Sequence, residues 1–316
     1  MDVLYVSLGS TAGLRLADDA LVGAIERAGA SVRMARAARQ PDVRTLMYTD
    51  WRWARAARAA ARDALAGEEP RAILYSTITA ALLWPRPGAI RFDALSADNR
   101  PGRHGVWQRA VEQRRLAAAP LIVPSSADVR FPTGVVVPPV VDRSGPVDGP
   151  RDVAAITYAT NPEKKGLDRI LRAWAAARAG DEELVVCGVQ GTDGDGVRYA
   201  GRLAVDEYRA LLRRSRLYLS GSRWEDFGIA QLEALADGCV LVCLHGRGPY
   251  VALPLARALD QRLVARDEEG FARAIRVALD DPAPDYAERA VPLVAPYSTA
   301  AVDRLVAERL LPALLG

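Results

Sequence analysis

The chain has 316 residues, of which 50% are hydrophobic and 26% are charged, and its formal net charge is +3 at pH 7. Two domains of ordinary size fit this length, and the composition allows each to bury a core. No apolar run approaches the ~20 residues that cross a bilayer, and the N-terminal sequence MDVLYVSLGS lacks the basic and long apolar regions of a signal peptide. We therefore expect a cytoplasmic protein rather than a membrane-spanning or secreted one.

The cysteines indicate the cellular compartment, and the charge distribution indicates the kind of partner. Cys187, Cys239 and Cys243 lie in or beside apolar, strand-like runs and lack the spacing of metal ligands, so we interpret them as reduced core residues of a cytosolic protein. The first half of the chain is basic and the second half slightly acidic. This asymmetry favours an acidic acceptor or a membrane surface as the partner of the first half.

In chain order, the first half alternates apolar runs of strand length with segments of helical periodicity. Its predicted strands are 3–9, 31–37, 71–77, 88–96, 120–126 and 134–142. Its predicted helices are 16–29, 51–66 and 106–119. A segment rich in Gly, Pro and charge, 143–152, then indicates a linker.

The second half repeats the same alternation. Its predicted strands are 154–160, 183–189, 217–222 and 239–246. Its predicted helices follow Lys165, span 205–216, begin at Ile229 and span 268–281, and a last helix spans 298–315. Repeated strand–helix units are the signature of an α/β fold with parallel sheets.

The most informative stretch is SGSRWEDFGIAQLEALADG, residues 220–238. It predicts a strand end, a loop that carries Glu225 and Asp226, a turn at Phe227 and Gly228, and then a helix. Glycine at the turn lets the backbone come close to a ligand.

The helix that follows this turn begins at Ile229 and has ligand-binding chemistry. Its N-terminus presents free N–H groups and a partial positive charge, which suit a diphosphate. Glu233 lies in the first helical turns, where a carboxylate can accept hydrogen bonds from a pair of sugar hydroxyls. The stretch therefore has the chemistry to hold a nucleotide sugar.

The only two lysines, Lys164 and Lys165, are adjacent in TNPEKKGLDRILRAW, while arginine supplies the other long basic side chains. A compact ammonium at one place suggests phosphate binding, because arginine prefers planar, two-pronged partners. The alternative is a solvated pair at the start of a helix.

The pattern in 220–238 resembles the E-x7-E motif of retaining glycosyltransferases with the GT-B fold, in particular family 4 (glycosyl transferases group 1). The residues that carry the resemblance are Glu225, Phe227, Gly228, Glu233, Ala234, Ala236 and Gly238. Lys165, followed by Gly166, resembles the family segment that contacts the donor pyrophosphate. Where the family has an arginine near the end of the preceding strand, this chain has Tyr158, Ala159 and Thr160, so Lys164 or an arginine from another loop would substitute.

The resemblance implies two Rossmann-like domains that face a central cleft. Residues 1–147 would bind the acceptor, 148–297 would bind the nucleotide sugar, and a helix over 298–316 would cross back to the first domain. The implied reaction is metal-independent and transfers a hexose-type sugar with retention from a nucleoside-diphosphate sugar to an acceptor hydroxyl. The donor would be a substrate, and no cofactor is expected.

The resemblance also implies roles for individual residues. The catalytic residues would be Lys165 and Glu225. The donor-binding residues would be Gly9, Gly13, Lys164, Asp226, Phe227, Gly228, Ile229 and Glu233. The candidates for acceptor or sugar contacts are Asp93, His245 and Arg247.

The first-domain candidates have a second interpretation. Gly9 and Gly13 are expected in the turn after the first strand, where they either let backbone N–H groups approach the ligand or form an ordinary turn. Asp93 either meets the acceptor hydroxyl or caps the next turn. The spacing of the glycines is not that of a nicotinamide site.

The acceptor is expected to be a glycan, a lipid-linked molecule or a small molecule, and no nucleic acid is expected. A cluster of tryptophans and arginines is predicted in one helix, namely Trp51, Arg52, Trp53, Arg55, Arg58 and Arg62. Its four arginines step by three, three and four, so they share one helix face. That face either docks peripherally on an anionic membrane, at its inner side, or is simply solvated. Two alternative functions remain: a nucleotide-sugar epimerase of the GT-B fold and a non-catalytic module that binds a nucleotide sugar.

Overall fold

The chain is seen here in a computed structural model, which describes residues 1–41, 45–100, 102–127, 134–146 and 149–316, without the side chain of His104. It forms two compact units. The first unit combines 1–140 with 299–316, and the second spans 141–298. The boundary expected between residues 147 and 148 lies outside the described residues.

Eleven strands are assigned among the described residues. They are β1 Val3–Ser7, β2 Val32–Arg36, β3 Ala72–Tyr75, β4 Ala89–Phe92, β5 Ile122–Pro124, β6 Val153–Tyr158, β7 Leu184–Cys187, β8 Val197–Gly201, β9 Ser215–Ser220, β10 Val240–Leu244 and β11 Val264–Ala265. The first sheet has the order β2-β1-β3-β4-β5, and the second has the order β11-β10-β9-β6-β7-β8. Neighbouring strands are parallel throughout.

The α-helices connect these strands. They are α1 Ala12–Arg27, α2 Leu46–Leu65, α3 Ile78–Ala81, α4 Ser96–Asn99, α5 Val106–Ala118, α6 Pro162–Lys165, α7 Leu167–Ala177, α8 Val205–Arg214, α9 Ile229–Ala236, α10 Ala252–Leu259, α11 Glu268–Asp280, α12 Tyr286–Val294, α13 Thr299–Leu305 and α14 Leu311–Leu315. Short 3₁₀ turns lie at Arg103–Gly105, Gln261–Leu263 and Ala295–Tyr297, and one π-helical turn joins α13 to α14 at Val306–Leu310.

The first unit packs on both faces of its sheet. Its interior strand β1 is completely buried, as parallel sheets covered by helices require. The last helical segment belongs to this unit, because the side chains of Val302, Val306 and Leu310 pack in one cluster with those of β1 and α1. The chain leaves the first unit after residue 140 and returns to it at residue 299.

The second unit has the strand order of a dinucleotide-binding Rossmann domain, in which the first and fourth strands of the unit are neighbours. Those two strands are β6 and β9. Its core contains the fully buried rings of Trp174, Tyr218 and Phe271. In such sheets ligands bind beyond the carboxyl ends of the strands at the point where the strand order reverses, here between β6 and β9.

Together these two units confirm the predicted class of two Rossmann-like α/β domains. Two local predictions were wrong. Gly13 lies inside the first turn of α1 rather than in the preceding turn, because Thr11 caps the helix by accepting a hydrogen bond from the Leu14 N–H. The predicted strand at 134–142 is absent from its described residues. The N–H groups of Val135 and Val137 donate to β5, but the prolines that follow have no N–H with which to continue a ladder.

Candidate functional site

Two loops meet at the carboxyl edge of the second sheet, one after β6 and one after β9. The backbone joins them where the Arg223 N–H donates to the Lys164 carbonyl at 2.9 Å. These loops contain both lysines and the acidic pair Glu225 and Asp226. The lysines and the acidic pair predicted for the donor site therefore lie at the switch point of this sheet.

The lysine loop is fixed by a short capped helix. The side chain of Asn161 accepts a hydrogen bond from the Lys164 N–H at 3.0 Å, and Pro162 occupies the first helical turn of α6. Gly166 ends α6 in the left-handed region, with φ 63°. A Cβ at Gly166 would lie 2.1 Å from the carbonyl oxygen of Gly221, so only glycine allows the two loops to approach so closely.

The acidic loop is held by a second, neighbouring loop after β10. The Glu225 N–H donates to the Arg247 carbonyl at 2.9 Å, and the Tyr250 N–H donates to the Glu225 carbonyl at 3.3 Å. Gly248 has φ 98°, and a Cβ there would lie 2.3 Å from the Glu225 carbonyl oxygen. Backbone hydrogen bonds to the loop after β10 thus hold Glu225 at both its N–H and its carbonyl.

The two predicted catalytic residues form an ion pair. Lys165 Nζ lies 2.6 Å from Glu225 Oε2, with side-chain exposures of 19% and 7%. The same oxygen accepts hydrogen bonds from the Ser222 hydroxyl and from Nε2 of Gln231, each at 3.0 Å. Three donors therefore converge on one carboxylate oxygen.

The second lysine pairs with the next acidic residue. Lys164 Nζ lies 2.5 Å from Asp226 Oδ2, and the Trp224 indole N–H donates to Asp226 Oδ1 at 2.6 Å. Burial alone raises the pKa of Asp226, but the Lys164 ammonium outweighs it and the net pKa lies below its ordinary value. Asp226 is therefore a carboxylate that holds Lys164 beside the site.

The turn and helix that follow present a helix N-terminus. Phe227 is buried and meets the Tyr297 ring edge-on, with 5.9 Å between the ring centroids. Gly228 adopts φ 95° as the N-cap, and α9 begins at Ile229. The first N–H groups of α9 thus follow directly after the two acidic residues, and they suit a diphosphate.

Glu233 lies one turn further along α9 and is half-buried beside an arginine. Arg209 donates to Glu233 Oε1 at 3.3 Å and to Asp237 Oδ2 at 2.7 Å. Burial raises the pKa of Glu233, the Arg209 guanidinium opposes that rise, and the Asp237 carboxylate adds to it. Glu233 is therefore a carboxylate that takes up a proton more readily than an exposed glutamate.

The second unit is similar to a known family. Residues 151–281 match the family model described as glycosyl transferases group 1. The matched range includes both lysines and both glutamates of the predicted motif.

Solved structures share the fold of the whole chain. Sucrose-phosphate synthase from Thermosynechococcus elongatus has a TM-score of 0.73 at 14% identity, with 96% of each chain covered. WaaG, a glycosyltransferase involved in lipopolysaccharide biosynthesis, has a TM-score of 0.71 at 14% identity, with 100% of each chain covered. The pneumococcal O-GlcNAc transferase GtfA, in complex with UDP and GlcNAc, has a TM-score of 0.57 at 12% identity, with 77% of this chain and 56% of that chain covered. The fold is therefore GT-B, and no curated protein is significantly similar in sequence.

Two predicted contacts lie on the loop after β10 of the second unit. His245 is exposed, and its N–H donates to the Ala265 carbonyl at 2.8 Å. Arg247 is exposed, and its guanidinium lies 5.7 Å from the centre of the Trp224 ring. The loop joins the Glu225 loop through its backbone, so Arg247 lies close to the lysine–carboxylate pairs while His245 lies at the end of β10.

The remaining candidates lie in the first unit. Gly9 is buried, has φ 58°, and its carbonyl accepts a hydrogen bond from Arg15 at 2.8 Å. Gly13 is exposed in the first turn of α1. Asp93 is exposed directly after β4. Gly9 and Asp93 thus follow the carboxyl ends of two strands of one sheet.

Sequence reasoning missed three residues of the second unit that organise the site. Gln231 and Ser222 hold Glu225, and Arg209 pairs with Glu233. The signal for Gln231 was present, because it is a polar residue inside the apolar run IAQLEALA. No comparable signal marks Arg209, since it is one of many arginines and lies 24 residues from its partner.

No described helix has the length and the apolar character needed to cross a membrane. Within the same residues, no group of three or more His, Cys, Asp and Glu side chains could hold a metal ion.

Proposed function

We propose that the chain is a glycosyltransferase that moves a hexose-type sugar from a nucleoside-diphosphate sugar to an acceptor hydroxyl, with retention and without a metal ion. The family similarity and the fold support sugar transfer in general. The observation that carries the finer proposal is the pair of Lys165 and Glu225 in front of the α9 N-terminus, at the switch point of the sheet.

The departing diphosphate would be stabilised by three groups. Lys165 and Lys164 supply two ammonium groups beside the site, and the first N–H groups of α9 supply donors and a partial positive charge. Since both ammonium groups are paired with carboxylates, bound phosphate would take over part of their hydrogen bonding. Stabilising charge on the leaving group is usually the largest single contribution to such catalysis.

The two glutamates would hold the sugars of the donor. Glu233 would accept hydrogen bonds from the ribose hydroxyls, and Glu225 would accept one from the transferred sugar. Asp226, Phe227 and Gly228 would line the same site. The acceptor hydroxyl would attack from the face that the diphosphate leaves and pass its proton to the departing phosphate, so the configuration at the sugar carbon would be kept.

The acceptor would be a glycan, a lipid-linked molecule or a small molecule that meets Asp93, His245 or Arg247. Gly9 and Gly13 would let the first unit's backbone approach the ligand. The UDP in the GtfA structure and the lipopolysaccharide role of WaaG support a nucleotide donor and a glycolipid type of acceptor.

A peripheral contact with an anionic membrane surface is part of the proposal. Leu46, Met47 and Tyr48 at the start of α2 are 44%, 38% and 49% exposed. Tyr48 stacks on Trp51 with 5.5 Å between centroids, and Arg55 lies 4.7 Å above the Trp51 ring. Apolar and aromatic side chains beside arginines suit the interface of an anionic bilayer.

Sedimentation with phosphatidylglycerol or phosphatidylcholine vesicles tests this contact. We expect binding to the anionic vesicles only, weakened by salt and lost in the double variant Met47→Ser, Tyr48→Ser. Val291→Ser, which changes an equally exposed apolar residue of the second unit, is the control. Equal binding of the double variant and wild type would remove the membrane from the proposal.

The proposed donor site is tested by thermal stabilisation with UDP, GDP, ADP and dTDP. Binding at 100 times Kd adds about 2.7 kcal/mol to stability, which is readily seen as a shift in Tm. We expect one nucleotide to raise the Tm of wild type and of Glu288→Ala, an exposed control on α12, and to raise that of Glu233→Ala less. Equal shifts for both variants would contradict the role of Glu233.

Product analysis with the nucleotide sugar that binds distinguishes the remaining functions. A transferase releases nucleotide in step with transfer to an acceptor, and chelation with EDTA should leave its rate unchanged. An epimerase would convert the donor without any acceptor, and a non-catalytic module would bind the donor and never release nucleotide.

A further inference from the structure

A chain of buried polar side chains lies behind Glu225. Nε2 of Gln231 donates to Glu225 Oε2 and to the Ser220 hydroxyl oxygen, each at 3.0 Å. The Ser220 hydroxyl in turn lies 2.5 Å from the Tyr250 hydroxyl, which lies 3.3 Å from the sulfur of Cys243. Gln231 is 1% exposed and Glu225 is 5% exposed. These hydrogen bonds therefore connect the Glu225 carboxylate to the core of the second unit.

The orientation of the Gln231 amide follows from its partners. Nε2 faces the carboxylate oxygen of Glu225, and a flipped amide would put a carbonyl oxygen against that oxygen at the same 3.0 Å. The assigned orientation leaves Oε1 of Gln231 buried, and no described residue donates a hydrogen bond to it. A buried acceptor without a donor costs stability.

The two oxygens of Glu225 have different surroundings. Oε2 receives Lys165, Ser222 and Gln231, whereas no described residue donates to Oε1. A carboxylate oxygen has room for about two strong hydrogen bonds. Three donors on one oxygen therefore fix the carboxyl group in one rotation and leave the other oxygen to accept from a ligand.

The neighbourhood of Glu225 is also strained. Tyr250 has φ 32°, in the left-handed region that non-glycine residues rarely adopt, although its N–H and hydroxyl groups both have partners within the site. Such conformations persist where the surrounding contacts enforce them, and they are frequent at functional sites. An unsatisfied amide and a strained backbone thus lie side by side behind one carboxylate.

We infer that Gln231, together with Ser222, is a positioning residue that holds Glu225 Oε2 so that Oε1 accepts a hydrogen bond from a hydroxyl of the transferred sugar. This inference rests on the proposed function. Gln231 would therefore change the affinity for the sugar, but not the affinity for the nucleotide, without contacting the ligand itself.

The test compares how much the sugar adds to nucleotide affinity in full-length variants. The probes are the pairs UDP and UDP-glucose, GDP and GDP-mannose, ADP and ADP-glucose, and dTDP and dTDP-glucose, measured by calorimetric titration. Gln231→Met removes the amide at similar volume. Gln108→Met is the matched control, because Gln108 is also a buried helical glutamine whose Oε1 has no described partner, but it lies in the first unit.

The measured quantity is the factor by which the nucleotide sugar binds more tightly than the nucleoside diphosphate, for the pair that wild type binds best. We expect this factor to be about tenfold smaller in Gln231→Met, which is the size of one lost hydrogen bond to a charged group. Its affinity for the nucleoside diphosphate and its Tm should stay close to those of wild type. Gln108→Met should match wild type in both affinities. In an already altered Glu225→Gln background, Gln231→Met should have no further effect, because its target carboxylate is gone.

An unchanged sugar contribution in Gln231→Met, or no sugar contribution in wild type that still binds a nucleoside diphosphate, would overturn the inference. Absence of binding of every nucleotide to wild type would instead overturn the proposed function. If Gln231→Met does not fold, Ser222→Ala takes its place. The expected result is then a smaller loss of the same kind, and full retention of the sugar contribution would overturn the inference equally.

Discussion

Each unit has a buried carboxylate beside its sheet, Asp18 in the first unit and Glu225 in the second, and the two differ in how they are satisfied. In the first unit, Asp18 is 0% exposed, accepts hydrogen bonds from Tyr5 on Oδ1 at 2.8 Å and from Ser7 on Oδ2 at 2.6 Å, and lies 3.7 Å from Arg91. Burial raises the pKa of Asp18. Both of its oxygens have partners within the fold.

Glu225 in the second unit is nearly as buried, but all of its donors lie on one oxygen. Under the proposed function, the difference separates a carboxylate that serves the fold from one that keeps an oxygen for a ligand. A satisfied buried network stabilises and specifies a structure. Four predictions test this comparison.

The largest expected effect is on catalysis, with Lys165→Ala. Without the ammonium the departing diphosphate loses its nearest cation, and we expect the transfer rate to fall by about 100-fold or more. The rate is measured as nucleotide release in the presence of the acceptor. Lys164→Ala should lose less, because Lys165 remains. Equal rates for Lys165→Ala and wild type would show that the pair in the second unit is only structural.

The next effect is on stability, with Asp18→Asn. This change removes the charge opposite Arg91 and one of the acceptors for Tyr5 and Ser7, so the free energy of unfolding should fall by about 2 kcal/mol. Urea unfolding measures it. Nucleotide affinity of the folded variant should stay at the wild-type value. A loss of affinity at full stability would mean that Asp18, too, serves the ligand.

A smaller effect concerns Glu233 and pH. Because the pKa of Glu233 is raised, the folded state takes up a proton above the ordinary glutamate range, so this residue lowers stability as pH rises through that window. Since Glu233 is proposed to accept hydrogen bonds from the ribose, nucleotide binding should weaken as pH falls through the same window and this carboxylate takes up its proton. Glu233→Gln should bind nucleotide about tenfold more weakly and remove both trends. Affinity that falls equally in the variant at low pH would assign the effect to another group.

The smallest effect is expected at an exposed pair of the second unit. Asp168 accepts two hydrogen bonds from Arg223 at 2.8 Å, which hold the pKa of Asp168 below its ordinary value. Both side chains are more than 40% exposed. Asp168→Asn should therefore lower stability by less than about 1 kcal/mol, and less still in high salt. A loss as large as that of Asp18→Asn would show that burial does not separate the two classes of carboxylate.

Much of the fold follows from the sequence. Apolar runs of strand length and segments of helical periodicity predicted the alternation of strands and helices, and the α/β class and the family resemblance are both confirmed. The first helix shows the limit at element ends: it begins at Ala12 because Thr11 caps it, whereas the apolar pattern becomes regular only at Leu16. Caps are decided by one hydrogen bond that the apolar pattern does not contain.

The site was predictable in composition but not in its contacts. The resemblance pointed to Lys165, Glu225 and Glu233. The sequence could not predict that Lys165 pairs with Glu225, because the two residues lie 60 positions apart. Which carboxylate oxygen a donor meets depends on the approach of two loops, which Gly166 and Gly221 permit. Gln231 was visible as a polar residue in an apolar helix, yet its partner depends on the rotation of α9 against β9.

Hydrogen exchange on the full-length chain, with and without the nucleoside diphosphate that stabilises it, tests the central claim most directly. If the switch point of the second sheet is the donor site, amides in 161–167 and 222–233 should become protected when nucleotide binds, because these segments carry Lys164, Lys165, the acidic loop and the start of α9. Glu225→Gln should keep this protection, because Glu225 is proposed to contact the sugar and not the nucleotide. Nucleotide binding that leaves both segments unprotected would contradict the account.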